Sequence, residues 1–175
     1  MFRRKDPLRK SIELLYSVRL IKDRISRLQS RVDERVDELS KRLISLESRG
    51  ETYLAKRYAE EIARLRGLSR RLSTLLLVVD KVDIALQHAI VLREFKLIAA
   101  ELTDIVKGVS KLPETKLPDL AILFAELEEG VRELSEISAS GYGGLPSYSP
   151  PSSSEVKAVL EEAKEVLKKQ LEPAP

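Results

Sequence analysis

The sequence has no cysteine, no tryptophan and no asparagine, and only three of its 175 residues are glutamine. Without cysteine the chain has no disulfide, no thiolate nucleophile and no thiolate metal ligand. It also has no Gly-rich phosphate loop, so nucleotide hydrolysis by this chain is not expected. Scarce amides beside a charged fraction of 34% are typical of proteins from thermophiles.

Long hydrophobic runs are also missing. The longest, 120–125, has six residues, far short of the roughly 20 that a membrane-spanning helix needs. The basic start, MFRRKDPLRK, has no apolar segment behind it and does not resemble a secretory signal. We therefore expect a cytoplasmic protein.

The charges that are present are unevenly distributed. Residues 1–50 carry 14 Lys and Arg against 8 Asp and Glu, whereas residues 111–175 carry 7 against 12. The net charge of +3 thus conceals a basic first part and an acidic last part. A basic part suits an anionic surface such as lipid or nucleic acid, and an acidic part can fold back and compete for it.

The first hundred residues predict a long antiparallel helical hairpin, and hence an all-α fold. Asp6-Pro7 is a good helix start, and Gly50 ends a helix over 7–49. The connection is short, so a second helix over 53–109 should return antiparallel to the first. Apolar residues recur on average every 3.5 residues, as in a coiled coil. In the first helix they are Ile25, Leu28, Val32, Val36, Leu39, Leu43 and Leu46.

The second helix outruns the first, and this overhang carries an apolar stripe without a partner in the hairpin. It can stay straight and meet another molecule, or break and fold back, as an assembly switch requires. The stripe includes Phe95, Leu97, Ile98, Leu102, Ile105 and Val106.

The remaining chain predicts shorter elements. A two-proline linker, 111–118, leads to an acidic helix over 119–137 that Asp119 can cap, which completes a core over 1–137. Residues 138–154 are rich in Gly, Ser and Pro and predict a flexible linker. Ser153 or Ser154 can then cap a terminal amphipathic helix over 155–171.

This layout resembles the ESCRT-III family, and most closely its archaeal Cdv cell-division proteins of the B type. The resemblance covers about residues 1–140 well. It rests on the basic start FRRK, the hairpin, the acidic helix, and stretches such as LYSVRLIKDRISRLQSRVDE and LLLVVDKVDIALQHAIVLRE.

The resemblance implies a function without catalysis. Members bind anionic membrane, assemble with paralogous subunits into filaments, and constrict membrane necks during division. An AAA-type ATPase then disassembles the filament after its MIT domain grips the tail. For this chain it implies a location on the inner face of the membrane at the division site, and a closed state with helix 119–137 folded onto residues 80–109.

Basic residues of the first fifty are the candidates for membrane contact. A solvated helix face without a ligand is the alternative, and nucleic acid is disfavoured because no aromatics are interleaved. The candidates are Phe2, Arg3, Arg4, Lys5, Arg9, Lys10, Arg19, Lys22 and Arg27.

Two tail segments compete as the site for the MIT domain, and a plain spacer is the alternative reading. One is the Pro-rich strip with Leu145, Pro146, Tyr148, Pro150 and Pro151, which enters a groove at low entropic cost. The other is the terminal helix, with Leu160, Leu167, Lys168 and Leu171. There Ala163 and Lys164 stand where the family has Arg and Leu.

No catalytic constellation, cofactor site or metal site is predicted. His88 is the single histidine, and the acidic cluster of Asp33, Glu34, Asp37 and Glu38 reads as a solvated face. The alternative functions are a coiled-coil adaptor or scaffold of fixed oligomeric state and, third, a nucleoid-binding protein.

Overall fold

A computed structural model describes residues 6–139 and 151–172. In these ranges all regular elements are helical, so the predicted all-α fold is confirmed. The helices are α1 (Pro7–Ser48), α2 (Thr52–Leu92), α3 (Phe95–Val109), a 3₁₀ turn (Pro113–Lys116), α4 (Pro118–Ala139) and α5 (Ser153–Leu171).

Local sequence signals explain both ends of α1. The side chain of Asp6 accepts a hydrogen bond from the N–H of Leu8, and Pro7 is the first helical residue. At the other end Gly50 has φ 73°, a left-handed conformation that glycine adopts without strain. Glu51 precedes α2 but makes no capping bond through its side chain. The reversal is therefore fixed by the glycine.

The predicted single helix over 53–109 is two helices in the structure. Helix α2 ends at Leu92. The next residue, Arg93, has φ 59°, in the left-handed region. The helix resumes at Phe95. The overhang therefore does not continue straight from α2. It breaks and folds back, which is the second of the two predicted alternatives.

Two capping predictions were wrong by a few residues. Asp119 lies in the first turn of α4 and does not cap it, because Pro118 already begins the helix. At α5 the capping residue is Ser152, which accepts from the N–H of Glu155 while the Glu155 carboxylate accepts from the N–H of Ser152. This reciprocal pair satisfies two free donors and outcompetes Ser153 and Ser154.

The core runs along one side of the hairpin. Ile25 and Val32 of the predicted α1 seam are buried in one cluster with Leu75 and Leu86 of α2, and Val18 and Ile21 extend the seam toward the start of α1. The same core continues into α3 and α4, where Leu102, Leu120 and Leu134 are fully buried. Toward the hairpin tip a separate small cluster joins Val36, Leu39 and Ile62.

The chain divides into two compact units, Met1–Gly144 and Leu145–Pro175. The first contains α1 to α4. The second contains α5, whose residues are all exposed. Most of the predicted linker over 138–154 lies outside the described residues, but Ser138 belongs to α4 and is buried.

Candidate assembly and membrane-binding surfaces

Helix α4 covers the apolar face of α3. Phe124, Leu127 and Val131 of α4 belong to the core cluster that also contains the buried side of α3. The predicted overhang residues divide accordingly. Phe95, Ile98, Leu102 and Val106 are buried, Ile105 is partly buried against the core, and Leu97 is exposed.

Helix α4 also packs against α1, at a point of very close approach. A Cβ atom added to Gly130 would lie 2.5 Å from Cδ2 of Leu14 and 3.7 Å from Cε of Lys10. Because Leu14 is itself buried, its side chain has little room to move. Glycine at this position thus lets α4 lie flush on α1, and a larger residue would act as a wedge.

Ion pairs among the described residues join the basic hairpin to the acidic segment that follows it. Glu114 of the 3₁₀ turn is itself buried, although its partner Arg71 is exposed, and a buried carboxylate needs such a partner. The pairs are Lys10 with Glu133 at 2.6 Å, Arg31 with Asp119 at 3.2 Å, and Arg71 with Glu114 at 2.6 Å. They lie at the two ends of α4 and on the turn before it, and so fix its position on the hairpin.

A buried carboxylate connects α1 and α2 near the middle of the hairpin. Asp83 accepts hydrogen bonds from Gln87 and from Lys22, and Arg19 lies 3.6 Å away. Burial raises the pKa of Asp83, but these donors outweigh it and the net shift is downward. The hydrogen bond to Asp80 is the largest cause that raises the pKa of Lys22.

One curated relative matches over nearly the whole chain. Over 171 residues the chain is 28% identical to cell division protein B1 of Sulfolobus acidocaldarius, and the match covers 95% of this chain and 78% of that protein. The predicted resemblance to the archaeal Cdv B-type proteins of the ESCRT-III family is confirmed. No protein-family model matches the chain, and no solved structure matches it.

Each described candidate for membrane contact has a carboxylate within 3.6 Å. The pairs of Arg9 and Arg27 lie within α1, are solvent-exposed and contribute little, whereas those of Lys10, Arg19 and Lys22 cross to other helices. The pairs are Arg9 with Glu13, Lys10 with Glu133, Arg19 with Asp83, Lys22 with Asp80, and Arg27 with Asp23. Phe2, Arg3, Arg4 and Lys5 lie outside the described residues.

The candidate MIT-binding strip also lies mostly outside the described residues. Of its members only Pro151 is described, and it is exposed. The competing candidate, α5, has six apolar side chains that are each 45–74% exposed. They are Val156, Val159, Leu160, Val166, Leu167 and Leu171.

The structure shows what surrounds the polar residues for which the sequence predicted no catalytic or metal-binding role. His88 is exposed on α2 and interacts with a neighbouring group. In the acidic cluster of α1, Asp33 accepts a hydrogen bond from Ser69 and Glu38 pairs with Arg35. Among the described residues no group of three potential ligands is arranged to hold a metal ion. Likewise, no helix in that part of the chain is long and apolar enough to cross a membrane.

Sequence reasoning missed two exposed apolar stripes on the hairpin. On α2, Leu77, Ile84 and Val91 are 70%, 68% and 78% exposed. On α1 the stripe consists of Ile12, Tyr16 and Leu20. The signal was present, because residues seven or four positions apart share one helix face. The buried seams, read on other faces of the same helices, obscured it.

Proposed function

We propose that this chain is a non-enzymatic filament subunit that assembles on anionic membrane during archaeal cell division. The observation that carries the proposal is the acidic helix α4, which covers the apolar face of α3 and pairs with the cations of α1. A surface that is covered by a removable segment of the same chain is suited to regulated assembly. The cell-division relative supports the biological setting.

In this mechanism membrane lipid and α4 compete for the same cations. Lys10 and Arg31 pair with Glu133 and Asp119 in the closed form, and lipid phosphates offer the same charge. Each basic residue near an anionic surface contributes about 1 kcal/mol. Reversing a closed-to-open ratio of 99:1 requires about 5.5 kcal/mol. Several lipid contacts together with contacts between subunits reach that sum, whereas one contact does not.

Opening releases the apolar face of α3 for a neighbouring subunit. If the chain straightens at Arg93, α2 and α3 become one helix over 52–109 that extends beyond α1. The freed side chains of Phe95, Ile98 and Leu102 then pack on the next subunit, which is this chain or a paralogue. In this way assembly replaces the contacts that opening breaks.

Disassembly requires an outside machine, because this chain has no nucleotide-binding loop. We assign that role to an AAA-type ATPase whose MIT domain binds the tail. Its site is Leu145, Pro146, Tyr148, Pro150 and Pro151, with α5 as the competing site. The subunit then works at the inner face of the membrane at the division site.

The test compares a wedge variant with a matched control on vesicles. Gly130→Gln places a side chain against Leu14, and overpacking of this kind costs about 1–3 kcal/mol. Gly108→Gln is the control, since nothing lies within 4 Å of a Cβ there. Both changes replace a helical glycine without changing the charge. We expect Gly130→Gln, and not Gly108→Gln, to increase sedimentation with anionic vesicles and to yield more filaments by negative-stain microscopy.

A pair of deletions extends the test. Removal of residues 112–175 takes away α4 and should increase assembly, whereas removal of 145–175 keeps α4 and should not. If the unaltered chain, Gly130→Gln and the deletion of 112–175 all fail to bind anionic vesicles at low salt, the proposal is wrong. A fixed small oligomer in light scattering would then favour the coiled-coil adaptor.

A further inference from the structure

The apolar face of helix α5 is exposed along its whole length. Every residue of α5 is exposed, although the helix is 19 residues long and a capping box stabilises its first turn. Helices in proteins owe most of their stability to the packing of an amphipathic face rather than to helix propensity. The face of α5 is therefore expected to have a partner.

The apolar positions of α5 repeat every seven residues. Three apolar positions in each period are typical of a helix that faces the core of a bundle, whereas two are typical of a narrow coiled-coil seam. The positions are Val156, Val159 and Leu160, followed seven residues later by Ala163, Val166 and Leu167.

The two edges of this face carry opposite charges. At 3.6 residues per turn, Glu155 and Glu162 lie along one edge, and Lys157 and Lys164 lie along the other. The charges thus repeat with the same period of seven as the apolar residues. Lys164 also lies 3.5 Å from Glu161 of its own helix, but an exposed pair of this kind contributes little.

These charges favour parallel packing of two copies of α5. In a parallel pair the acidic edge of one helix meets the basic edge of the other. Glu162 of one copy is then offset from Lys164 of the second copy by two residues, about 3 Å along the axis at about 1.5 Å per residue. Antiparallel packing about Ala163 would instead set each edge against itself, with lysine against lysine and glutamate against glutamate.

Gln170 favours the same direction. It lies seven residues after Ala163 and is therefore in line with the apolar face. In a parallel pair the side-chain amides of two copies of Gln170 meet and can hydrogen-bond to each other. Antiparallel packing about Ala163 would place Gln170 against Val156, where its amide has no such partner.

We infer that α5 is a self-association element, which packs parallel and in register with α5 of a second copy of this chain in a small helical bundle. The contact uses no residue of α1 to α4, so it does not depend on the filament function proposed above. It also occupies one of the two competing tail sites for the ATPase and leaves the other, the Pro-rich strip over 145–151.

Disulfide formation tests this contact, because the chain has no cysteine of its own. Full-length Val156→Cys is oxidised with copper phenanthroline in solution without lipid. Ala158→Cys is the matched control, because this exposed position lies on the opposite side of α5 from the apolar face. We expect abundant covalent dimers from Val156→Cys and almost none from Ala158→Cys.

Charge reversal tests the direction of packing. In the Val156→Cys background, Glu162→Lys sets lysine beside Lys164 of the second copy, and the yield of dimer should fall severalfold. The further change Lys164→Glu restores opposite charges along the two edges and should restore the yield. Neither change touches a buried residue, since all of α5 is exposed.

The outcomes separate this inference from the filament proposal. Equal yields from Val156→Cys and Ala158→Cys, or no dimer from either, overturn the inference and leave the filament function intact. Dimers from Val156→Cys/Gln170→Cys with none from Val156→Cys alone indicate antiparallel packing and overturn it too. The expected dimers from a chain that fails to bind vesicles support the contact while the membrane function fails.

Discussion

At the residue scale, Asp83 is the polar group on which the hairpin depends most. Its side chain is 5% exposed, and it faces α1 through Lys22 and Arg19. A buried carboxylate without partners would be strongly destabilising, so the cations of α1 are required there. The consequence is a fixed register, since sliding α1 along α2 would leave Asp83 unpaired.

This arrangement predicts a specific pH dependence. The pKa of Asp83 is lowered in the folded chain, so its stabilising contribution is present above the unfolded pKa of about 3.9 and is lost as the pH falls through the lower, folded value. Asp83→Asn should cost about 1–3 kcal/mol of unfolding free energy near neutral pH, because Lys22 loses its buried partner. Urea unfolding between pH 2 and 7 measures both effects.

The sign of the change identifies the residue responsible. As the pH falls below the unfolded pKa, the difference between Asp83→Asn and the unaltered chain should shrink, because Asp83 is protonated first in the unfolded and then in the folded state. Lys22 affects stability at the opposite end of the pH range. Its raised pKa gives a contribution that is fully present below the unfolded pKa of about 10.4 and is lost as the pH rises through the higher, folded value. A constant difference from pH 2 to 7 would show that the charge of Asp83 is not involved.

At the element scale, the break between α2 and α3 is a balance of unequal terms. A non-glycine residue in the left-handed region costs about 1–2 kcal/mol, and Arg93 bears that cost. Against it, five large apolar side chains of α3 are buried in the folded-back form, each contributing about 1.5–3 kcal/mol. In the isolated chain the free energy gained by burying α3 exceeds the cost at Arg93. When a neighbouring subunit covers the same side chains, the fold back no longer provides this gain.

Arg93→Gly should stabilise the break between α2 and α3, whereas Arg93→Ala should not. Glycine relieves the left-handed strain and also disfavours a straight helix by about 1 kcal/mol, so the broken form gains about 2 kcal/mol, or roughly 30-fold. Alanine removes the same charge without that relief. Spin labels at Lys81→Cys and Glu101→Cys report the outcome, since a straight helix separates these positions by about 30 Å. On vesicles, Arg93→Gly should show less of the 30 Å distance than Arg93→Ala, and equal populations would contradict a hinge at Arg93.

The sequence predicted the elements better than it predicted their interruption. The helix start at Asp6, the reversal at Gly50 and the seam of α1 follow from local signals. Arg93 carries no such signal, because arginine favours the helix and only tertiary burial makes it turn. The capping residue of α5 was missed although a local signal existed, because only Ser152 has a glutamate three residues further on, the spacing of a capping box.

At the scale of the whole molecule, the charge separation was visible in the sequence but its pairing was not. The basic start and acidic end predicted that the two would meet. Lys10 and Glu133, which form one of the pairs that join them, lie more than a hundred positions apart, and their contact depends on how α4 lies on α1. The close approach at Gly130 was equally hidden, since it depends on the shape of the facing helix. Periodicity identifies a helix face, and only the fold shows what covers it.

Competition between lipid and α4 predicts where the molecule loosens on a membrane. Amide hydrogen exchange should accelerate in α3 and α4 when anionic vesicles are added, because these helices lose their mutual cover. Exchange near the hairpin tip, around Val36, Leu39 and Ile62, should stay slow, since that cluster contains no residue of α3 or α4. Neutral vesicles should change nothing. Salt at 1 M, where the screening length is about 3 Å, should abolish the effect of anionic ones. Bound protein with unchanged exchange in α3 and α4 would show that the membrane binds the closed form and that opening has another cause.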